Sequence, residues 1–405
     1  MKKILTNVSF DKMYIWVLAL FAFSIPYKNN FSNIALISLV FFSICCVNRR
    51  SLKKRVRDYA WILLLINGLV FFLGCFFINK EISFNGFNKI GKVVLLLLMP
   101  VLLHKYRTLK EENIIFLAFG CGVVIGLVLC WTAFFLNSTN IINYSNFTAP
   151  MGGIHPVYFS QFVVMAFFIF LENLLRSIKL EYKIILIVLL IFLSISLFYI
   201  QARTPVVAFI LCLFVFAFYK ILIQNDIKNL KYLILVIFLG ALIFFIAIND
   251  IDYLLIKDRM INNFNEGLTI RLHSWRCAWN VFIENPKLLG VGFSNTQYYL
   301  DECYKSSYLA RPYFEHYNSH NQYLQILVSS GVIGIISWLF MVGYAFYRTI
   351  INNNLLGLIF LILFSICCIT EVYLVRIWGV LFYALFYSLL VFRTKKEKMS
   401  DNLKE

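Results

Sequence analysis

Long apolar runs alternate with short polar clusters along the whole chain. Runs near the roughly 20 residues that a helix needs to cross a bilayer fall at 12–27, 31–47, 59–78, 88–103, 113–136, 156–175, 183–200, 205–222, 231–248, 321–346, 355–371 and 376–392. The pattern predicts an all-α polytopic membrane protein of about twelve transmembrane helices. An even number places both termini on one side. If that side is the cytoplasm, three basic clusters lie inside: Arg49 to Arg57, then Lys105, Arg107 and Lys110, and finally Arg393 to Lys398. Roughly two-thirds of the Lys and Arg are then cytoplasmic, as the positive-inside rule expects.

The opposite face receives mostly short connections, a medium one around Asn137 to Pro156, and one long segment. The chain thus divides into transmembrane helices over 1–248, a large periplasmic loop over 249–320, further transmembrane helices over 321–392, and a cytoplasmic tail over 393–405. Within the loop, Ile270, Trp275, Ala278, Trp279, Val281 and Phe282 recur at helical spacing, which predicts an amphipathic helix over 270–284 near the membrane surface. Pro286 and the Gly290-Val291-Gly292 turn would end it. Lys2 and Lys3 precede the first apolar run, and no small-residue cleavage site follows it, so it reads as a retained helix.

Composition sharpens this picture. Hydrophobic residues make up 61% of 405 positions and charged ones 14%, where soluble domains hold roughly half and a quarter. The net charge of +17 sits between apolar runs, where it orients helices, so no nucleic acid partner is expected. Most cysteines lie inside apolar runs without metal-ligand spacing. Cys277 and Cys303 share the large loop; they are read as free thiols, with pairing left open for an oxidising compartment.

Polar chemistry concentrates on the outer face. Arg203 follows Ala202 and precedes Thr204-Pro205 in a tight turn between two apolar runs. It can snorkel to lipid phosphate, or act with a helix N-terminus as a phosphate clamp. Arg271 and Trp275 stand one helical turn apart and share a face, which suits a diphosphate beside a sugar or an interface. Arg276 lies elsewhere on that helix and reads as a solvated charge. His320, where the loop runs back into a helix, is the best-placed general base; His316, four residues earlier, is a companion or confounder. Asn321, His316, Trp275 and His155 are candidates to line the same cavity. Gly331 and Gly334 read as small residues for close helix packing. Asp250 and Asp252 resemble a metal-holding acidic pair, yet two acids at a helix end are common, and no metal or cofactor is expected. Glu371 and Arg376 lie at a short outer turn and read as interface charges.

The run His320-Asn321, nine residues, Gly331, two residues, Gly334 resembles the His-Asn-x9-Gly-x-x-Gly pattern of the bacterial O-antigen ligase family. Ala202-Arg203-Thr204 and Arg271 to Trp275 followed by Pro286-Lys-Leu-Leu-Gly290-Val-Gly292 agree with further marks of that family. Ala202 departs from the usual Ser or Thr before the arginine. The resemblance implies a GT-C-like glycosyltransferase in the bacterial inner membrane with its site facing the periplasm. It implies transfer of a glycan from undecaprenyl diphosphate to a sugar hydroxyl of lipid A-core, with His320 as base and Arg203 and Arg271 on the donor diphosphate. The short outer loop Tyr27 to Asn30 holds no acid, so arginines would replace a metal in an inverting transfer. The alternative is an O-antigen or exopolysaccharide polymerase of the Wzy type, which extends a second lipid-linked glycan. A protein O-oligosaccharyltransferase is a further possibility. A transporter would place charges or broken helices at mid-membrane, and the predicted spans carry few.

Overall fold

A computed structural model describes residues 2–27, 29–77, 84–104, 108–136, 147–200, 202–223 and 253–392. The predicted span at 231–248, the pair Asp250 and Asp252, and the tail at 393–405 lie outside them. All regular structure among the described residues is helical. The helices are α1 (Lys2–Ser24), α2 (Asn29–Cys45), α3 (Arg49–Val56), α4 (Tyr59–Phe77), α5 (Phe84–Leu102), α6 (Leu109–Leu136), α7 (Pro156–Arg176), α8 (Leu180–Ile200) and α9 (Arg203–Leu222). The chain continues with α10 (Tyr253–Glu284), α11 (Thr296–Ser306), α12 (Ala310–Phe314), α13 (Gln322–Ile351), α14 (Leu355–Thr370) and α15 (Ile377–Leu390).

Five helices are long and apolar enough to cross a membrane unaided: α6, α7, α8, α9 and α13. The pair α2 and α3, bent by 115° at its break, makes a sixth candidate. Shorter apolar helices occupy Lys12–Ser24, Tyr59–Phe72, Gly91–Leu102, Leu355–Thr370 and Ile377–Leu390, within other predicted runs. Helix α7 is apolar all round because it is surrounded, and its residues are buried almost without interruption from Pro156 to Leu174. Around it α6, α8, α9 and α14 pack in contact. The outer helices instead turn Trp16, Ile37, Phe41, Phe135, Val188, Phe214 and Phe340 outward. Apolar side chains exposed over so many helix faces suit a lipid surroundings.

The segment after Glu284 builds a small second core. Cys277, Ala278 and Val281 of α10 pack with Val291, Leu300, Tyr304 and Val328. Helix α10 begins at Tyr253, so Arg271 and Trp275 sit in its body and not at its start, as the periodicity had suggested. The buried face is Ser274, Cys277, Ala278 and Val281, while Trp279 stays half exposed. Cys277 and Cys303 form a disulfide, which corrects the free-thiol reading and ties α10 to α11.

Gly331 also departs from expectation. It does not merely permit close packing; it breaks α13 with φ 62° and ψ −160°, a conformation L side chains avoid. The chain segment Lys287 to Val291 docks into that break. Val332 N donates to Lys287 O at 2.9 Å, Ile333 N to Leu288 O at 3.2 Å, and Val291 N to Val328 O at 2.9 Å. A Cβ on Gly331 would collide with the Leu288 carbonyl, and one on Gly290 with the Val328 carbonyl. The two glycine motifs thus meet backbone to backbone, and α13 is satisfied across its kink by the loop.

Candidate functional site

His320 sits in the last loop residues before α13. Its backbone is left-handed, φ 48°, an uncommon conformation for a residue other than Gly. The surroundings hold it there from both sides. His320 N donates to Asn318 Oδ1 at 2.8 Å, and Trp275 Nε1 donates to His320 O at 3.3 Å. Tyr304 Oη fixes the carbonyl of Asn318 at 3.2 Å, and Ser319 N and Oγ both donate to Gln325 Oε1 at 3.1 and 2.8 Å. Asn321 then caps α13, accepting from the backbone N–H groups of Tyr323 and Leu324 at 2.9 and 3.0 Å. A strained residue so thoroughly fixed is a common sign of a functional position.

The imidazole faces a residue that the sequence reading had assigned to the interface. Glu371, the residue that ends α14, is buried, with its side chain 7% exposed. Its Oε1 lies 3.5 Å from His320 Nδ1 and 3.8 Å from an Arg271 terminal nitrogen. Burial alone would raise the pKa of this carboxyl. His320, His155 and Arg271 outweigh that and hold it below the usual carboxylate range. Glu371 is therefore an anion at neutral pH, with two cationic or polar neighbours at ion-pair distance. The contacts are long, and Arg271 Nε and His320 Nδ1 are buried without a hydrogen-bond partner among the described residues.

The turn that carries Glu371 is tied to its neighbours by hydrogen bonds. Leu374 N donates to Gln322 Oε1 at 2.9 Å, Tyr158 Oη to Val372 O at 2.9 Å, and Tyr323 Oη to Ser365 O at 3.0 Å. Elements α7, α13 and α14 thereby converge on one point. His155, the residue before α7, keeps solvent contact. Crowding by the protein pushes its imidazole below the ordinary range, Glu371 pulls it up, and Arg376, His320 and Arg271 push it down again. Arg203, exposed at the start of α9, is beside Thr204, whose hydroxyl meets that of Thr370 at 2.8 Å, one residue from Glu371.

The structure thus brings together Arg271, Trp275, His320, Asn321 and His155, with Arg203 at the adjoining helix start. It places His316 apart: the side chain is 69% exposed, and Nδ1 pairs with Asp301 Oδ2 at 2.7 Å. Arg276 is exposed, as expected of a solvated charge. Among the described residues, no three His, Cys, Asp or Glu converge to hold a metal ion. Glu371 was missed; its signal was an acid at the end of a strongly apolar helix on the face that carries the other polar residues.

A buried carboxylate, an imidazole and a guanidinium within ion-pair distance of one another can take a proton and stabilise an anionic leaving group. Residues 186–339 match a family model described as O-antigen ligase, Wzy_C. The match takes in Arg203, Arg271, Trp275, His320 and Asn321, and stops before Glu371. No curated protein matches the chain.

Proposed function

Since the chain carries an O-antigen ligase family domain over residues 186–339, we propose that it transfers a glycan from undecaprenyl diphosphate to a sugar hydroxyl of lipid A-core at the periplasmic face of the bacterial inner membrane. The observation that carries this reading is the meeting of His320, Arg271 and the buried Glu371 within 3.8 Å. The disulfide between Cys277 and Cys303 supports an extracytoplasmic position for the loop, because disulfides persist in oxidising compartments.

In this reaction the acceptor hydroxyl attacks the anomeric carbon, and the bond from that carbon to the diphosphate oxygen breaks. With Nδ1 of His320 turned to Glu371, Nε2 is the nitrogen left to take the hydroxyl proton. The electron pair of the broken bond stays on the diphosphate, where Arg203 and Arg271 stabilise the charge. A single displacement inverts the anomeric configuration. Glu371 is a positioning residue: it fixes the imidazole and keeps Arg271 in place before the donor arrives. The arginines take the part that a divalent metal plays in other transferases, so activity should survive EDTA.

Deletion of the gene followed by gel analysis of the lipopolysaccharide tests the assignment. The ligase reading predicts loss of all glycan-capped core while lipid-linked glycan accumulates. Core bearing one repeat unit would instead identify a polymerase. Reporter fusions after Asn48 and Asn265 should give opposite signals; the same signal from both would remove the periplasmic cavity.

A further inference from the structure

Helix α13 is broken at Gly331, so residues 322–330, which follow closely on His320, form a short helical piece set off from the rest by a kink. The place of that piece relative to Glu371 depends on what ties it down. On the loop side, Val291 N donates to Val328 O at 2.9 Å. Toward α14, Tyr323 Oη donates to Ser365 O at 3.0 Å. Toward the turn just past Glu371 the tie is Gln322, whose Oε1 accepts from Leu374 N at 2.9 Å.

Gln322 is only 3% exposed. A long polar side chain kept out of water loses both hydration and rotamer freedom, so its single-minded contact with one backbone N–H needs a reason. The positions of the two partners supply one. Gln322 lies two residues from His320, with the cap residue Asn321 between them, and Leu374 lies three residues from Glu371. Leu374 is itself buried, so its N–H would lose the acceptor it has if the amide were removed. From the other side, Tyr158 Oη holds Val372 O of the same turn at 2.9 Å. Glu371 stands 3.5 Å from His320 Nδ1 and 3.8 Å from Arg271, longer than ordinary hydrogen bonds, so small displacements of the turn decide whether those contacts close or open.

We infer that Gln322 is a positioning residue: through Leu374 it sets the separation of Glu371 from His320 and Arg271, and with it the direction in which the imidazole faces the acceptor hydroxyl. This role rests on the proposed transfer, because the separation governs turnover only where His320 acts as the base.

Gln322→Leu removes the acceptor at similar volume, and transfer by the full-length protein in phosphatidylcholine nanodiscs reads the effect. With a lipid-diphosphate-linked glycan as donor and lipid A-core as acceptor, kcat should fall by about tenfold to 10²-fold, the scale of a misplaced catalytic group, with the donor KM unchanged. In the Glu371→Gln background the same change should cost less than about twofold more, since residues that act through one another are not additive. Gln322→Asn keeps an amide one methylene short of Leu374 and should show the same losses, which keeps the test intact where the Leu variant fails to accumulate.

A second measurement needs no turnover. The titratable and charged groups acting on Glu371 are His320, His155, Arg271, Tyr158, Tyr373 and Cys367. Burial raises the Glu371 carboxyl, and His320, His155 and Arg271 outweigh it. Once Gln322 no longer holds the turn, those neighbours recede and burial gains. The acid transition in tryptophan fluorescence, taken as the difference between wild type and Glu371→Gln, should therefore move to higher pH in Gln322→Leu. Wild-type kcat in both Gln322 variants, a full further loss in the Glu371→Gln background, or an unmoved acid transition would each overturn the positioning role. A wild-type protein that transfers no glycan, with the transition displaced as expected in the variant, would instead overturn the functional reading and leave the hold of Gln322 on Glu371 standing.

Discussion

Two buried glutamates, one at each end of the helical bundle, show how differently the same chemistry can be used. Glu172, in the last turn of α7, is held by Arg176 at 2.7 Å and Lys220 at 3.2 Å. Glu371 faces Arg271 at 3.8 Å and His320 at 3.5 Å, and leaves buried nitrogens on both neighbours unbonded. The Asp58 pair with Arg348, at 3.0 and 3.1 Å, is of the tight kind. The tight pairs also leave one buried atom each without a hydrogen bond, Glu172 Oε2 and Arg348 Nε, but their charged groups meet at 2.7 to 3.2 Å. The loose cluster instead leaves its charged groups 3.5 and 3.8 Å apart, longer than an ordinary hydrogen bond. The difference in contact length fits a structural part for Glu172 and the site role proposed for Glu371.

Substitutions can break that distinction, and the arginines should respond most. Arg271→Ala and Arg203→Ala should lower transfer by at least about 10²-fold, the scale of losing one group that stabilises developing charge, while the protein stays in the membrane. Lysine should restore only part, because it lacks the planar fork. By contrast Arg176→Ala should leave turnover near wild type. Equal activity in all three variants would return Arg271 and Arg203 to lipid contacts.

The glutamates should then separate by readout. Glu371→Gln should reduce kcat on the order of 10²-fold through a misplaced base, with little change in protein level. Glu172→Gln should instead cost about 3 kcal/mol or more in stability, since the buried Lys220 would lose this carboxylate, and should spare kcat in the protein that remains. The pairing of Glu371 lowers its pKa, so its stabilising contribution is complete at neutral pH and is lost only as pH falls below the usual carboxylate range. Trp275 fluorescence should report that acid transition in wild type and not in Glu371→Gln. If the two glutamine variants fail in the same way, the distinction drawn from their distances is wrong.

Smaller effects should come from the support of His320. Trp275→Phe removes one neutral hydrogen bond to the His320 carbonyl, worth about 1 kcal/mol, so a loss of several-fold in kcat is expected. Arg276→Ala, on the exposed side of α10, should be neutral.

Much of the proposed site was legible in the linear chain because its residues occur at local spacings. Arg271 and Trp275 share a face by helical periodicity, and His320 with Asn321 marks a loop-to-helix boundary that the structure keeps, Asn321 being the cap. The apolar runs likewise foretold an all-helical membrane protein. What escaped was set by contacts between distant segments. Glu371 becomes a site residue only when α14 ends beside the start of α13, across 51 positions of sequence from His320 (371 minus 320). The break at Gly331 depends on the loop at Lys287 to Val291 docking into it, and no periodicity reports a partner for a broken helix. His316 shares a helical spacing with His320, but the intervening chain is not a helix, so the two do not share a face. The disulfide needed the fold to bring Cys277 and Cys303 to a Cα separation of 5.7 Å.

The central claim is that His320, fixed by Glu371, takes the acceptor proton while Arg271 and Arg203 hold the leaving diphosphate. Single-turnover transfer from a purified lipid-diphosphate-linked glycan, measured beside donor binding in the same preparation with EDTA present, addresses it most directly. His320→Ala should bind donor as wild type does and lose on the order of 10² to 10⁴ in rate, the contribution of a positioned general base. Wild-type turnover in His320→Ala, or a wild-type enzyme silenced by EDTA and rescued by Mg²⁺ or Mn²⁺, would contradict the account.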